Sequence, residues 1–581
     1  MVILNIFVYI CAIFFYSISI IGYGAKFKNL LLQNDKDSIG EFGIYGFIVL
    51  YFLSILIHFF LPINFFVSLP ILGVGIYLFF KEIKLGKAKF LINKKFGLCV
   101  LLFLLLSFTN QFHDDAYLYQ LPYINYIQEF KIVFGLVAVN DYLAYGHGFY
   151  DILALFSLPK ISNNLIFTLP VIFLAFFILY LYEQKQNSNF YIKFFFSIIV
   201  SLLCFRFAQS QNYGTDLPVL ILIFLIQINL LNYFFKKNII FFYKFILYLV
   251  VGIFFKIYMI FSVFYLIPLI FLTKIKHINF IKHKRIIIFL FFMIFLSLGK
   301  NIIHSGCLMY PIHQTCFESE DLSWSYGKDL SKKRSIFLNA ANKGWLSYYR
   351  FVPGSEFIEA DKYLEKYKHN YHMNLIYDPD FFHLITLLVI FFILINLNKT
   401  NTLHNKTRIT ERKMQFSSNQ KKYLFLSSFA VFLFWFIVSP NLRYGGYGFI
   451  AFFLFSIATM LNLVKNLDFK KIRIFICIAL SFLIIKNLNR VHNEISDNQF
   501  NIIPRFKNIS YYTANISSIN INISKDDTFC ANIKMLCIVE SNLLSIKNIK
   551  NIHNYLIIEK NKNDAINNMN LEIQRMKKKF Q

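Results

Sequence analysis

The chain contains repeated stretches of about 20 apolar residues, the length an α-helix needs to cross the hydrocarbon core of a bilayer. Val2–Tyr23, Gly43–Leu61 and Thr215–Phe235 are three of them, and the only Asp, Glu, Lys or Arg they contain is the Asp216 near the start of the third. About fourteen stretches meet this length criterion. A composition that is 57% hydrophobic and 15% charged, with 73 Phe in 581 residues, exceeds what a soluble core of this size buries, so lipid must solvate the excess. The expected fold is an all-α polytopic membrane bundle. Its helices are expected near 1–23, 42–61, 63–80, 96–109, 164–183, 189–207, 215–235, 238–255, 257–273, 286–299, 381–397, 422–439, 444–463 and 473–487. The first stretch is too long for the apolar region of a signal peptide and has no basic residue before it, so it reads as a retained helix.

A formal charge of +28 can mark nucleic-acid binding, attraction to anionic lipid, or the basic loops that orient membrane helices. The third meaning explains most of the pattern. Lys and Arg gather in Lys81–Lys95, Lys236–Lys237, Lys274–Arg285, Lys399–Lys422 and Lys465–Arg473, which the positive-inside rule assigns to the cytoplasm. Counting spans between them places both termini outside. Gly146–Leu158 is apolar but too short to span, and reads as an amphipathic or re-entrant helix. Cysteine placement agrees with this topology. Cys11, Cys99, Cys204 and Cys477 lie in spans, where buried structural thiols are expected, while Cys307, Cys316, Cys530 and Cys537 all fall outside. Two close pairs in an oxidising compartment point to the disulfides Cys307–Cys316 and Cys530–Cys537, with four free thiols as the alternative.

Three outer segments are therefore substantial: 110–163, 300–380, and a C-terminal region, 488–581, that follows a transmembrane domain of residues 1–487. The last alternates apolar and polar residues in short runs, as in NISSININIS, so a small extracytoplasmic α/β or β-rich domain is expected. The first opens QFHDDAYLYQLPYI, which sets His113, Asp114 and Asp115 at the outer end of a helix. Either carboxylate can be a solvated helix end, a general base, or a ligand for a divalent metal at Asp114/Asp115. Asp216 opens a span at its outer end, and Arg443 follows Pro440 in WFIVSPNLRYGG at another. The planar guanidinium fork suits a lipid phosphate, and interface anchoring is the other role open to Arg443. Lys256, in FFKIYMIF, is an ammonium between two apolar runs that either snorkels or pairs with a carboxylate or a substrate anion.

These residues resemble a group of bacterial multi-pass membrane proteins linked to surface polysaccharides. The likeness rests on DDAYLYQLPYINYIQEFKIVFGL, where Asp115, Tyr119, Gly135 and Leu136 match, on SGCLMYP followed by Trp324, on FWFIVSPNLRYG, and on Cys530 with Cys537. Gln120 stands where that group usually has His, and Phe134 where it has Pro, so neither inherits a role. The order of parts is also similar to that of GT-C glycosyltransferases, which carry an acidic motif in the first large outer loop and use polyprenyl-phosphate sugars. The resemblance implies an enzyme that moves a sugar from such a donor to a glycan or lipid acceptor. Asp115 and Asp114 would be catalytic, with Arg443, Lys256, Asp216 and Tyr119 binding substrate.

No Walker loop or Rossmann fingerprint is present in the sequence, so nothing in it supports an ATP-driven pump or a dinucleotide enzyme, and nothing calls for a nucleic-acid partner. His304 and His313 flank Cys307 and Cys316 at spacings that match no standard zinc pattern. A non-enzymatic polysaccharide translocator, or an O-antigen-type polymerase, is the alternative function. Richness in Ile, Asn, Lys, Phe and Tyr fits an AT-rich bacterial genome and hence a bacterial inner membrane.

Overall fold

Long apolar helices dominate the computed structural model, which describes residues 2–32, 38–84, 97, 115–145, 148–161, 165–166, 168–185, 189–206, 214–272, 283–318, 320–345, 358–366, 381–396, 416–464, 469–497, 509–516, 519–525, 530, 533, 536–543, 546–561 and 564. Among the described residues nine helices are long and apolar enough to cross a membrane: Phe7–Leu31, Ile39–His58, Phe65–Lys84, Thr168–Lys185, Asp216–Lys236, Lys284–Ser305, Ser418–Val438, Leu442–Met460 and Ile472–Ser496. The chain is thus a multi-pass helical membrane protein with a small strand-containing C-terminal region. Phe190–Cys204, Ile239–Phe255 and Ile257–Phe271 are shorter apolar helices, and the stretch expected at 381–397 forms Phe381–Asn396. Of the span expected at 96–109, Gly97 alone is among the described residues.

Burial separates the helices into two kinds. Asp216–Lys236 is almost wholly enclosed by its neighbours, whereas Phe65–Lys84 and Lys284–Ser305 leave Phe66, Phe80, Phe291 and Phe295 exposed, a surface that lipid rather than water would solvate. Where helices meet in an apolar solvent, backbones approach through small residues. A Cβ on Gly24 would lie 1.7 Å from the Phe42 carbonyl oxygen, and one on Gly46 would lie 1.9 Å from that of Ile20. Gly24→Val should therefore force the first two spans apart, an overpacking cost of about 1–3 kcal/mol or more, read as a lowered unfolding temperature in detergent. An unchanged temperature would show that the contact relaxes freely.

Two expected elements are reshaped. The stretch 257–273 is not one α-helix: Ile257–Tyr265 is 3-10 and Leu266–Leu272 is α-helical. Pro268, with no N–H, cannot bond back across that junction. Gly148–Phe156 is buried on every side by the protein, so it lacks the exposed face of an amphipathic surface helix.

The final long helix continues to Ser496, past the boundary expected at 487. Beyond it, Tyr511–Ile516 pairs antiparallel with Ile519–Ser524, which pairs parallel with Cys537–Val539. Ile546–Ile552 and Tyr555–Lys560 form a separate hairpin, turned by His553 and Asn554 at φ of 51° and 65°. These positive angles fit the right-handed twist of the paired strands. This region does not stand apart. Phe134 N–H donates to the Leu556 carbonyl at 2.9 Å, Ile558 N–H donates to the Phe134 carbonyl at 2.9 Å, and Tyr126 Oη donates to the Cys537 carbonyl at 2.8 Å. Ile521, Ile538 and Ile558 share one continuous apolar core with the spans.

Candidate functional site

The polar residues at this end of the bundle are delivered by interruptions in its helices. Asp115 directly precedes the π-helical turn Ala116–Gln120. Arg443 lies in a kink, Leu442–Gly446, where Tyr444 (φ −91°, ψ 52°) and Gly445 (φ 87°) leave helical geometry and the Asn441 side chain accepts from the Arg443 N–H at 2.9 Å. Only glycine adopts the Gly445 conformation without strain. Lys256, at φ −160° and ψ 125°, separates the helix Ile239–Phe255 from the 3-10 segment, and Asp216 is the first residue of Asp216–Lys236. Irregular backbone at membrane depth is tolerated where it is buried in protein or lines a cavity, and π turns concentrate at functional positions.

The interruptions bring four charges together. Arg443 donates through Nη2 to Asp115 Oδ2 at 3.0 Å and through Nε to Asp216 Oδ2, while Lys256 Nζ donates to Asp216 Oδ1. Lys256 Nζ also lies 4.1 Å above the Tyr444 ring, which stacks on Tyr258 at 5.0 Å. Two carboxylates and two cations leave the group formally neutral. Their side chains remain 17–28% exposed, so an incoming anion can reach them.

The quartet faces a cavity of about 460 Å³. Part of the wall is apolar, with Ile253, Ile257, Ile260, Phe261 and Val438, of which Ile260 is 38% and Val438 45% exposed. Another part is a series of tyrosines: Tyr119 stacks on Tyr142 at 5.7 Å, Tyr142 meets Tyr145 at 5.9 Å, and Tyr145 meets Tyr310 at 5.3 Å. Burial holds the hydroxyls of Tyr119, Tyr145 and Tyr310 well above the usual phenol range, so they remain protonated donors. Behind them the buried Arg334 bonds Tyr145 Oη at 2.9 Å, pairs with Asp141 at 3.0 Å and lies 4.2 Å from the Tyr142 ring.

Of the six residues named from sequence, the structure gathers Asp115, Tyr119, Asp216, Lys256 and Arg443 around this one cavity. Asp114, with His113, lies outside the described residues. Among the described residues no group of three or more His, Cys, Asp or Glu is placed to hold a metal ion. Asp115 and Asp216 have cations in contact with their oxygens; the metal expected at Asp114/Asp115 falls partly outside the described residues, and no step is assigned to one.

Sequence reading missed several residues. Gln120, Tyr142, Tyr145, Tyr310 and Asn339 line the cavity, and Arg334 supports two of those tyrosines. It also missed two buried ion pairs: Asp151 with Lys300, and Glu41 with Lys244 at 2.5 Å. An ionisable residue inside an apolar run is costly in lipid, and GFYDILALF and LSLGKNII carried that signal for Asp151 and Lys300. Nothing local marks Gln120, whose cavity position depends on distant elements.

The cysteines are paired Cys307–Cys316 and Cys530–Cys537. Cys204 is buried, but Cys477 is exposed on its helix rather than enclosed, because that helix is peripheral; Cys99 lies outside the described residues. Trp324 packs edge-on against Phe134 at 5.0 Å, and a Cβ on Gly135 would lie 2.2 Å from the Ile558 carbonyl oxygen. These positions therefore join the segments around Phe134 and Trp324 to the C-terminal region.

Compared with known proteins, residues 2–451 match the family described as "Domain of unknown function (DUF8201)", and since that is well over half of its length, the chain belongs to this family. No curated protein and no solved structure matches it.

Proposed function

We propose that this member of the DUF8201 family is a GT-C-like membrane glycosyltransferase that transfers a sugar from a polyprenyl-phosphate donor during assembly of a cell-surface polysaccharide or glycolipid. The observation that carries the reading is a single cavity that combines an Arg–Lys pair, a carboxylate beside it, a tyrosine wall and a partly exposed apolar wall. Each part meets one need of a lipid-linked phosphosugar. The apolar wall takes the first isoprenoid units, Arg443 and Lys256 take the phosphate, and the tyrosines take the sugar. In the transfer step an acceptor hydroxyl attacks the anomeric carbon and gives its proton to Asp115. The bond from that carbon to the phosphate oxygen breaks, and polyprenyl phosphate leaves with the electron pair, its charge met by Arg443 and Lys256. Asp216 orients both cations.

In this reading the bundle has fourteen spans, both termini are extracytoplasmic, and the protein resides in a bacterial inner membrane with the cavity outward. The helices that supply or flank the site carry basic residues at their far ends: Asp216–Lys236 ends in Lys236, and Lys284–Ser305 begins with Lys284 and Arg285. That arrangement supports the orientation.

Arg443→Gln should weaken binding of polyprenyl phosphate at least about tenfold, as loss of a charged hydrogen bond to a phosphate does, measured on purified protein in nanodiscs. Equal binding by wild type and variant would take the lipid phosphate away from Arg443. The buried pairs Asp151–Lys300 and Glu41–Lys244 favour a second reading, a non-enzymatic polysaccharide translocator, because ionisable residues within a bundle also mark transport paths.

A further inference from the structure

Among the described residues, the four charged ones that line the cavity are Asp115, Asp216, Lys256 and Arg443, and the rest of that lining is neutral. That neutral part holds hydrogen-bonding groups with nothing to bond. Gln120 is 1% exposed, and neither its amide nitrogen nor its amide oxygen has a partner among the described residues. The hydroxyl of Tyr310, a residue 3% exposed, and the Oδ1 of the half-buried Asn339 also have no partner among the described residues. The charged residues differ, because they already satisfy one another.

An unsatisfied buried amide costs about 1–3 kcal/mol, and a folded protein keeps such a group where something outside the chain completes it. Gln120 follows Tyr119 in the same π turn, and the ring contacts lead from Tyr119 through Tyr142 and Tyr145 to Tyr310. The unmet donors and acceptors thus lie at both ends of one aromatic wall. Aromatic faces beside fixed neutral donors and acceptors suit a polyhydroxyl ring, and the ion pair behind the wall, Arg334 with Asp141, is already matched, so a carboxylated or amino sugar is not favoured there.

We propose that Gln120, with Tyr310 and Asn339, forms a recognition subsite for an uncharged sugar, and that Gln120 is the residue that reads its polar substituents. This rests on the transferase reading and adds a substrate class and a specificity residue to it.

The test compares wild type, Gln120→Leu and Tyr310→Phe, full-length in nanodiscs, as competitors displace a fluorescent polyprenyl phosphate. The competitors are unlabelled polyprenyl phosphate, polyprenyl-phosphate neutral hexoses and N-acetylhexosamines, and polyprenyl-phosphate glucuronate. Wild type should bind at least one neutral-sugar lipid about tenfold or more tighter than the bare lipid, and should not prefer the glucuronate. Gln120→Leu should bring that ratio close to one while affinity for bare lipid stays the same, and Tyr310→Phe, which removes a single hydroxyl, should lower it part of the way. A ratio unchanged in both variants, as when only an ordered water fills the amide, overturns the proposal, as does a wild-type preference for glucuronate or for the bare lipid. If Gln120→Leu does not fold, the Tyr310→Phe ratio decides. Failure of wild type to bind polyprenyl phosphate at all removes the transferase reading and this subsite with it, whereas bare-lipid binding without sugar preference removes the subsite alone.

Discussion

Asp115→Asn is expected to lower sugar transfer by about 10²- to 10⁴-fold, the range over which a positioned general base contributes. Asparagine keeps an oxygen where Asp115 Oδ2 accepts from Arg443 Nη2 at 3.0 Å, so the fold should persist and the unfolding temperature should move by only a few degrees. The measurement is release of polyprenyl phosphate from lipid-linked sugar by purified protein, normalised to folded protein. Full activity in the variant would remove Asp115 from the chemistry. Surface glycan that is still made at normal protein level would leave the translocator reading in its place.

Lys300→Met should be the most destabilising substitution, costing about 3–5 kcal/mol, because it strands a buried carboxylate. The Asp151 side chain has no exposure and Lys300 supplies both of its hydrogen bonds. Repair follows from the same physics. The double variant Asp151→Asn with Lys300→Met removes both charges and should recover at least half of the loss, since a neutral replacement of a buried pair is often close to neutral in stability. Thermal unfolding in detergent reads both. Equal instability of the single and double variants would show that packing, not charge, is the source. A double variant that is folded and active in transfer would mean that the pair ties the buried helix Gly148–Phe156 to the span Lys284–Ser305, while one that is folded and inactive would favour a transport path.

How far the site was legible depended on the chemistry of each residue. Asp115, Asp216, Lys256 and Arg443 stand out because each is a charge at or near the end of an apolar run, where its cost in lipid demands a reason. Their mutual pairing was not legible, since Asp115 and Arg443 are 328 positions apart and meet only because two separate helix interruptions face each other. Gln120 and the tyrosines were opaque for the opposite reason. Tyrosine is abundant here, at 36 residues, and a neutral amide between spans costs nothing until the fold encloses it. The C-terminal region was read as a separate domain because its short alternating runs differ from the spans, yet its strands pair with Phe134 and share the apolar core.

The amino-acid sequence by itself determined that the chain is a helical, multi-pass membrane protein, because the length and apolarity of a span are local properties that each segment carries alone. Tertiary structure decided where the interruptions in those helices meet. It turned Gly148–Phe156 inward, split the stretch after Lys256 and set a guanidinium between two carboxylates. Such outcomes depend on which distant segments pack together, and no local pattern encodes that.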